Sequence, residues 1–525
     1  EKFGKLLLNI DRLIVSSMVK KKEGQKSGNT QGCAGECDID GGYESPLKTF
    51  RDISLENIRL LIIKSRYIQA LIVLSAIGLF LRFYHLGYNS LWLDEASTYT
   101  ISIQSFADIW QTMAAGEISP PLFYWAEHIM LTLGNNEVIL RFIPALLGVF
   151  TIPVFYLVGK EFFDRNVGII TAAGCAFSPF LIYYSQEARA YAMALFFISV
   201  ATLFFLKAQK SSSVTHWGLF GIFAALAFWT HFFTFVIIAA LILYAFVQWI
   251  PRIRSEINYV KKFVIGIIIF IILCSPLIFI AFQLFAVRKA SAYTFGLRGW
   301  DLISGIFTQT TGFNDVVTIL LVSLFLVGIA QMCFYNKSKG VFLIWITIFT
   351  FAASYILSFM IPLEARHLIW FSLVFFLGIA CSYKTFCALL RHPAVVYGFI
   401  ALLCIVSAPV LINYYSDYSK SDWRGFSGLL QEKTSPGDIV VVVPGYLAQS
   451  LDYYYSPEKD RTQEYRAASA QDLEKIYSQK GNSTIYFVVT ADISPADPNG
   501  EMIAWLTNHT RYIDQHSVIY IFGSK

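Results

Sequence analysis

The chain has 525 residues, 56% of them hydrophobic and only 15% charged, with a mean hydropathy of +0.54. Soluble domains carry roughly 25% charged residues, so a soluble globular protein is excluded and a polytopic membrane protein is expected. The formal net charge of +5 comes without a basic stripe, so no nucleic-acid partner is expected.

Residues 1–66 read as a cytoplasmic, partly disordered N-terminal segment. Leu6 to Met18 is apolar but too short to span, and it ends in Lys20-Lys21-Lys22, which fits an interfacial helix. Gly24 to Tyr43 is polar and Gly-rich and reads as disordered. Cys33 and Cys37 form C-x3-C with no second pair or nearby His, so no zinc site is expected. The remaining cysteines, Cys387 among them, read as small buried residues of apolar runs. The first long apolar run starts near residue 67, and no cleavable signal pattern precedes it.

Eleven apolar runs follow, at about 67–84, 138–159, 166–184, 190–207, 214–229, 232–250, 260–283, 316–335, 340–361, 366–384 and 394–412. With the N-terminus inside, basic residues collect in the inner loops, as at Arg252, Arg254, Lys261 and Lys262, which satisfies the positive-inside rule. Pro120 to Leu133 is apolar but short of the ~20 residues of a span. Counting it would put the basic loops outside, so it is expected to be a juxtamembrane helix. Residues 67–413 thus form the transmembrane domain, with a first outer loop at 85–137. Residues 414–525 are expected to form a compact outer α/β domain, with strands at 439–443, 483–490 and 517–522 and helices at 472–479 and 498–507. It contains no phosphate loop, metal spacing or obvious triad.

Asp94 and Glu95, in Leu91-Trp92-Leu93-Asp94-Glu95-Ala96-Ser97, lie in that first outer loop. An ionisable pair at the membrane edge of so charge-poor a chain marks a functional site. The pair also suits the first turn of a helix capped by Asn89 or Ser90. The expected outer rim gathers further polar groups: Glu117, Tyr124 and His128; Tyr183 to Tyr191; Trp229-Thr230-His231; Arg288, Lys289 and Arg298; and Glu364 to His367. Taken singly, Arg141, Arg189 and Arg366 could snorkel to lipid headgroups. His231 and His367 could be interfacial, the tyrosines could form an aromatic belt, and Glu187 could pair with Arg189. What these readings leave unexplained is arginine kept on the outer side against the topological rule. That points to an anionic ligand, and phosphate suits Arg best. A carboxylate beside a phosphate-binding cation suits glycosyl transfer from a lipid-linked phosphate to a hydroxyl, the carboxylate acting as general base and the arginines stabilising the leaving phosphate.

Leu91 to Ala96, Pro120-Pro121-Leu122-Phe123-Tyr124-Trp125, Arg141 with Pro144 to Gly148, Tyr184 to Tyr191, Thr230-His231-Phe232, Arg366-His367-Leu368 and Asp422-Trp423-Arg424-Gly425 occur in that order. Together they resemble GT-C glycosyltransferases of family 39 type, a group that includes protein O-mannosyltransferases and is related to bacterial aminoarabinose transferases. The resemblance covers about residues 65–445. It implies an α-helical polytopic GT-C fold, a polyprenyl-phosphate-linked sugar as donor, transfer outside the cytoplasm and inversion at the anomeric carbon. By the resemblance Asp94 is the base with Glu95 supporting, and Arg189 and Arg366, with His231 and Tyr191, bind the donor phosphate. Pro120, Pro121, Tyr124, Arg141, Tyr184, Gln186, Glu187 and His367 line the donor and acceptor cavity. Members usually carry His before the Pro-Pro pair, where this chain has Ser119. No role is carried over to that position, and no spacing supports a divalent metal. The acceptor, whether protein, lipid or glycan, is not specified. Two rival readings are an inactive or assembly subunit and a transporter, the latter expected to show mid-membrane charges and a two-fold repeat.

Overall fold

A computed structural model describes residues 37–40, 43, 54–116, 119–250, 257–290, 296–417, 420–479, 481, 483–490, 493–494 and 496–525. The expected helix at Leu6–Met18 and Glu117 lie outside the described residues, as do the side chains of Arg288 and Lys289.

Leu55–Lys64 (α1) leads into Arg66–Phe83 (α2). The loop that follows folds into three short helices, Leu93–Ser102 (α3), Phe106–Ala114 (α4) and Pro121–Leu131 (α5). Glu137–Phe162 (α6), Arg165–Phe177 (α7), Pro179–Ser185 (α8), Tyr191–Ser211 (α9), Val214–Thr230 (α10), Phe235–Trp249 (α11) and Ile257–Ala290 (α12) come next. Trp300–Thr310 (α13), Asp315–Tyr335 (α14), Lys337–Ser358 (α15), Phe371–Cys381 (α16), Tyr383–Leu390 (α17) and Ala394–Ser416 (α18) complete the bundle.

Among the described residues nine helices are long and apolar enough to cross a membrane, ten if α7 and α8 count as one bent span. The expected run at 214–229 forms α10, which is apolar but only 17 residues long. The chain is therefore an integral, multi-pass membrane protein. Large apolar side chains on α12, such as Ile271, Ile272, Phe279 and Phe282, remain exposed, as a lipid-facing surface requires. The apolar segment after Pro120 is the 11-residue α5, packed against α3 and α4 and too short to cross.

Close backbone approach sets several helix crossings. A Cβ added at Gly328 on α14 would overlap the carbonyl of Gly378 on α16, and one at Gly221 on α10 would overlap that of Gly266 on α12. Small residues at such crossings are how membrane helices gain contact without a hydrophobic driving force.

The C-terminal domain comprises Trp423–Lys433 (α19), Ile439–Val443 (β1), Ala448–Asp452 (α20), Pro457–Asp460 (α21), Gln463–Arg466 (β2), Ala470–Ser478 (α22), Ile485–Thr490 (β3), Glu501–His509 (α23), Thr510–His516 (β4) and Ile519–Ser524 (β5). Its sheet has the order β2-β1-β3-β5-β4, parallel at β2/β1/β3 and antiparallel at β3/β5/β4. The two edge strands were not expected from the sequence. Gln463–Arg466 is mostly exposed and Thr510–His516 is polar, so neither shows apolar alternation.

At the opposite end of the bundle, part of the stretch expected to be disordered is packed. Asp40 accepts from Ser65 Oγ at 2.7 Å and from Arg66 N at 2.6 Å, and lies 3.3 Å from Arg165. Cys37 is disulfide-bonded to Cys387, which corrects the reading of Cys387 as a small buried residue of an apolar run. A contact spanning 350 residues leaves no local trace in the sequence.

Gly328→Val should force α14 and α16 apart and lower the melting temperature in detergent by several degrees, an overpacking cost of about 1–3 kcal/mol. Gly398→Ala, where an added Cβ meets nothing within 4 Å, should leave it unchanged or slightly raised.

Candidate active site

The rim that carries the C-terminal domain is organised by a buried ion pair. Arg141 lies in the first turns of α6, whose N-cap Asn136 accepts from Ile139 N at 3.0 Å. The Arg141 side chain is 2% exposed, and each of its five N–H donors finds an acceptor. Nε and Nη2 donate to Glu95 Oε1 and Oε2 at 2.7 and 2.8 Å, and the rest go to the carbonyls of Leu86, Asn89 and Ser90 at 2.8–3.2 Å. Glu95 is fully buried and also accepts from Lys420 Nζ at 2.8 Å and Ala188 N at 2.9 Å. Burial alone would raise its pKa; Arg141 and Lys420 outweigh that and hold it at about 2. Arg141 therefore neither snorkels nor lines a cavity. It ties the first loop to α6, and Glu95 is engaged on both oxygens.

Asp94 points elsewhere. The pair sits in the first turn of α3, as its helix-start reading had it, but the N-cap is Trp92 rather than Asn89 or Ser90. Consecutive helical residues diverge by ~100°, so Glu95 turns inward while Asp94 keeps a quarter of its side chain exposed. Its Oδ2 lies 3.5 Å from Arg366 Nη1 and 4.0 Å from Arg189 Nε. Arg189 Nη1 further donates to Asp94 O and Thr98 Oγ1, both at 3.3 Å. Arg366 is 3.1 Å from Glu364 and stacks over Trp92 at 5.5 Å and Tyr191 at 6.0 Å. Burial opposes the Arg366 charge, but Tyr191, Asp94 and Glu364 outweigh it and raise its pKa.

Local sequence explains how these groups arrive. Pro179 cannot continue the hydrogen bonding of α7, and Ser178 caps α8, accepting from Leu181 N at 3.4 Å. The resulting 58° bend ends in the turn Gln186 to Ala190. Gln186 Nε2 donates to the carbonyls of Leu81, Arg82 and Tyr84 at 2.7–3.2 Å, and its Oε1 accepts from Tyr414 at 2.7 Å. Gln186 is thus a cap on α2 rather than a cavity residue. Arg366 and His367 lie in the 3₁₀ turn Ala365–Leu368, closed by a reciprocal capping pair between Glu364 and His367.

Glu187, one residue before the Ala188 amide, is fully buried, and neither of its oxygens has a hydrogen-bond partner among the described residues. Burial pushes it up to about 6. Glu95 and Asp94 push the same way, against Lys420 and Arg366. His231 sits at the break after α10, its ring 5.7 Å from His367 and 5.5 Å from Tyr191. Burial, Arg189 and Arg366 depress His231 to about 3; burial, His231 and the same arginines hold His367 well below the usual range. Both are neutral at physiological pH. His367 Nδ1 accepts from Glu364 N at 3.1 Å, which leaves its proton on Nε2.

The structure therefore gathers Asp94, Arg189, Arg366, Tyr191, His231 and His367, with Tyr184 stacked edge-on against Tyr191 at 5.1 Å. Tyr124 is not among them. It is 1% exposed, within an apolar cluster formed with Ile101, Phe123, Ala190 and Met193, and Pro120-Pro121 serves to start α5. Sequence reasoning missed Lys420 and gave Trp92 no role. A lysine just beyond the last span, beside Asp422-Trp423-Arg424-Gly425, was the available signal.

A family model described as dolichyl-phosphate-mannose-protein mannosyltransferase matches residues 119–280. ArnT from Cupriavidus metallidurans superposes with a TM-score of 0.55 at 13% identity, covering 87% of this chain and 98% of that one. Its complex with undecaprenyl phosphate gives 0.54 at 13% identity, covering 86% and 97%. The archaeal oligosaccharyltransferase AglB from Archaeoglobus fulgidus, in complex with an inhibitory peptide and a dolichol-phosphate, gives 0.52 at 12% identity, covering 87% and 74%. An uncharacterized protein of Aquifex aeolicus (strain VF5) is 31% identical over 131 residues, 23% of this chain and 26% of that protein's length. The chain thus shares its overall fold with these membrane proteins. Within it, the segment from Ser119 through most of α12 is similar to the mannosyltransferase family.

Arg141→Met should leave Glu95 buried without its principal partner, which costs about 3–5 kcal/mol, and folded protein should be lost in detergent. Arg141→Lys cannot restore the fork and should rescue little. Because the Glu95 pKa is depressed on folding, its contribution is complete above the unfolded value of ~4.3 and is lost as pH falls toward about 2. Wild-type melting temperature should therefore decline across that acid window.

Proposed function

We propose that the chain is a membrane glycosyltransferase that moves a sugar from a polyprenyl-phosphate donor to an acceptor hydroxyl, with Asp94 as general base. The observation that carries this reading is the position of Asp94, partly exposed and flanked by Arg366 at 3.5 Å and Arg189 at 4.0 Å. The undecaprenyl phosphate and dolichol-phosphate held by the similarly folded ArnT and AglB support a lipid phosphate as the anion. The N-terminus is assigned to the cytoplasm and the C-terminal domain to the extracytoplasmic face by the distribution of basic loops.

The donor phosphate enters between Arg189 and Arg366, loosening their long contacts to Asp94. The freed carboxylate then takes the proton of the acceptor hydroxyl as its oxygen attacks the anomeric carbon. The bond from that carbon to the phosphate oxygen breaks on the opposite face, which inverts the centre. The electron pair leaves on the polyprenyl phosphate, where the two guanidiniums meet its growing charge. His231 and His367, neutral and with their rings tilted beside Tyr191, add hydrogen-bonding capacity to this wall without adding charge. Glu95 acts through position rather than proton transfer, since both its oxygens are already engaged.

Purified protein in lipid, supplied with radiolabelled polyprenyl-phosphate sugars and a membrane extract as acceptor source, tests this. Wild type should transfer label. Asp94→Asn should bind donor equally but lose at least ~100-fold in turnover, the scale of a missing general base. Arg366→Gln should weaken donor binding as well. Equal transfer by wild type and Asp94→Asn would remove Asp94 from the mechanism, and a protein that binds donor but transfers none would favour an inactive subunit.

A further inference from the structure

We infer that Lys420 is a positioning residue for the transfer proposed above, and that through it the seating of the C-terminal domain sets the geometry of the phosphate-facing arginines. Lys420 lies in the linker between α18 and α19. Its side chain is only 5% exposed, and its ammonium meets Glu95 Oε2 at 2.8 Å, 5.9 Å from the Trp92 ring and 5.6 Å from that of Tyr183.

The linker is fastened on both sides of this lysine. Tyr414 donates to Gln186 Oε1 at 2.7 Å, and Tyr415 donates to the Leu81 carbonyl. Beyond it, Ser90 Oγ donates to Ser421 O at 2.8 Å and accepts from Trp423 N at 3.0 Å. The domain then grips the first loop directly. Arg424 Nη2 and Tyr454 Oη donate to Glu137 Oε1 at 2.6 and 2.7 Å, and Leu91 N donates to Tyr454 Oη at 2.7 Å.

Two short routes lead inward from Lys420. One runs through Glu95 to the Ala188 amide, the residue before Arg189. The other runs through Trp92, whose ring also lies under Arg366. Arg366 is thus one contact removed from a group that Lys420 touches, and Arg189 directly follows the residue whose amide Glu95 holds. Arg141 already meets Glu95 with two parallel hydrogen bonds, so Lys420 is a second cation on a carboxylate that is already paired. Burying a second cation carries a desolvation cost. Here it fixes the carboxylate and the indole against the linker, and small misplacement of such groups can cost about 10²-fold in rate.

The test compares full-length wild type, Lys420→Met and Lys420→Arg in lipid, by amide hydrogen exchange and by transfer kinetics. In Lys420→Met, exchange should rise in peptides covering 89–98 and 185–191 while the remaining spans stay protected. Turnover should fall at least 10-fold with affinity for undecaprenyl phosphate within 3-fold of wild type, and Lys420→Arg should recover a substantial part of it. Unchanged exchange at both rim segments in a folded Lys420→Met protein would overturn the inference, as would loss of turnover and lipid-phosphate affinity in parallel with general loss of protection. If wild type transfers nothing while the exchange difference persists, the transferase reading falls and the positioning role stands.

Discussion

The fork between Arg141 and Glu95 is the constraint on which the rim depends. A carboxylate taken fully out of water is tolerable only when its oxygens are matched, and an arginine only when its donors are. Each meets that condition by reaching across the chain: Arg141 to three carbonyls of the first loop, Glu95 to the linker and to the turn after α8. Four segments distant in sequence are thereby fixed relative to one another by one charge pair. The low dielectric that makes the pair costly also makes it strongly directional.

This arrangement separates two neighbouring carboxylates that look equivalent on paper. Glu95, saturated with donors, is held ionised far below physiological pH. Asp94, one residue earlier and ~100° around the helix, has long contacts to two arginines and remains open to solvent. On the proposed reading such long contacts suit an anionic ligand, because a phosphate can displace the carboxylate from the guanidiniums without breaking optimal bonds. The helix supplies the separation, so no additional machinery is needed to give the two acids different chemistry.

Much of this was legible in the sequence. Most of the spans followed from apolar run length, and the expectation that Asp94, Arg189, Arg366, His231 and His367 share one rim came from arginines that the positive-inside reading would leave outside. What was not legible is tertiary. Arg141 and Gln186 have rim-like positions but direct their polar atoms into the fold, and periodicity cannot distinguish a side chain facing a cavity from one capping a neighbouring helix. Lys420 is a single lysine in a polar linker, and Cys37 meets Cys387 across 350 residues. The edge strands Gln463–Arg466 and Thr510–His516 are exposed and polar, so the alternation that reveals a strand is missing from both.

The electrostatics of the rim also limit how it can respond to pH. Its cationic character rests on Arg189 and Arg366, which keep their charge at any physiological pH. The two histidines that could have titrated are held neutral by burial and by those same arginines. Glu187 is brought toward the physiological range, at about 6, because its carboxyl is desolvated and shares the rim with Glu95 and Asp94. Protonation of Glu187 removes a negative charge from the neighbourhood of Arg366, and ionisation restores it. Anion affinity at this rim should therefore be greater below about pH 6 than above it, with the arginines themselves unchanged in charge.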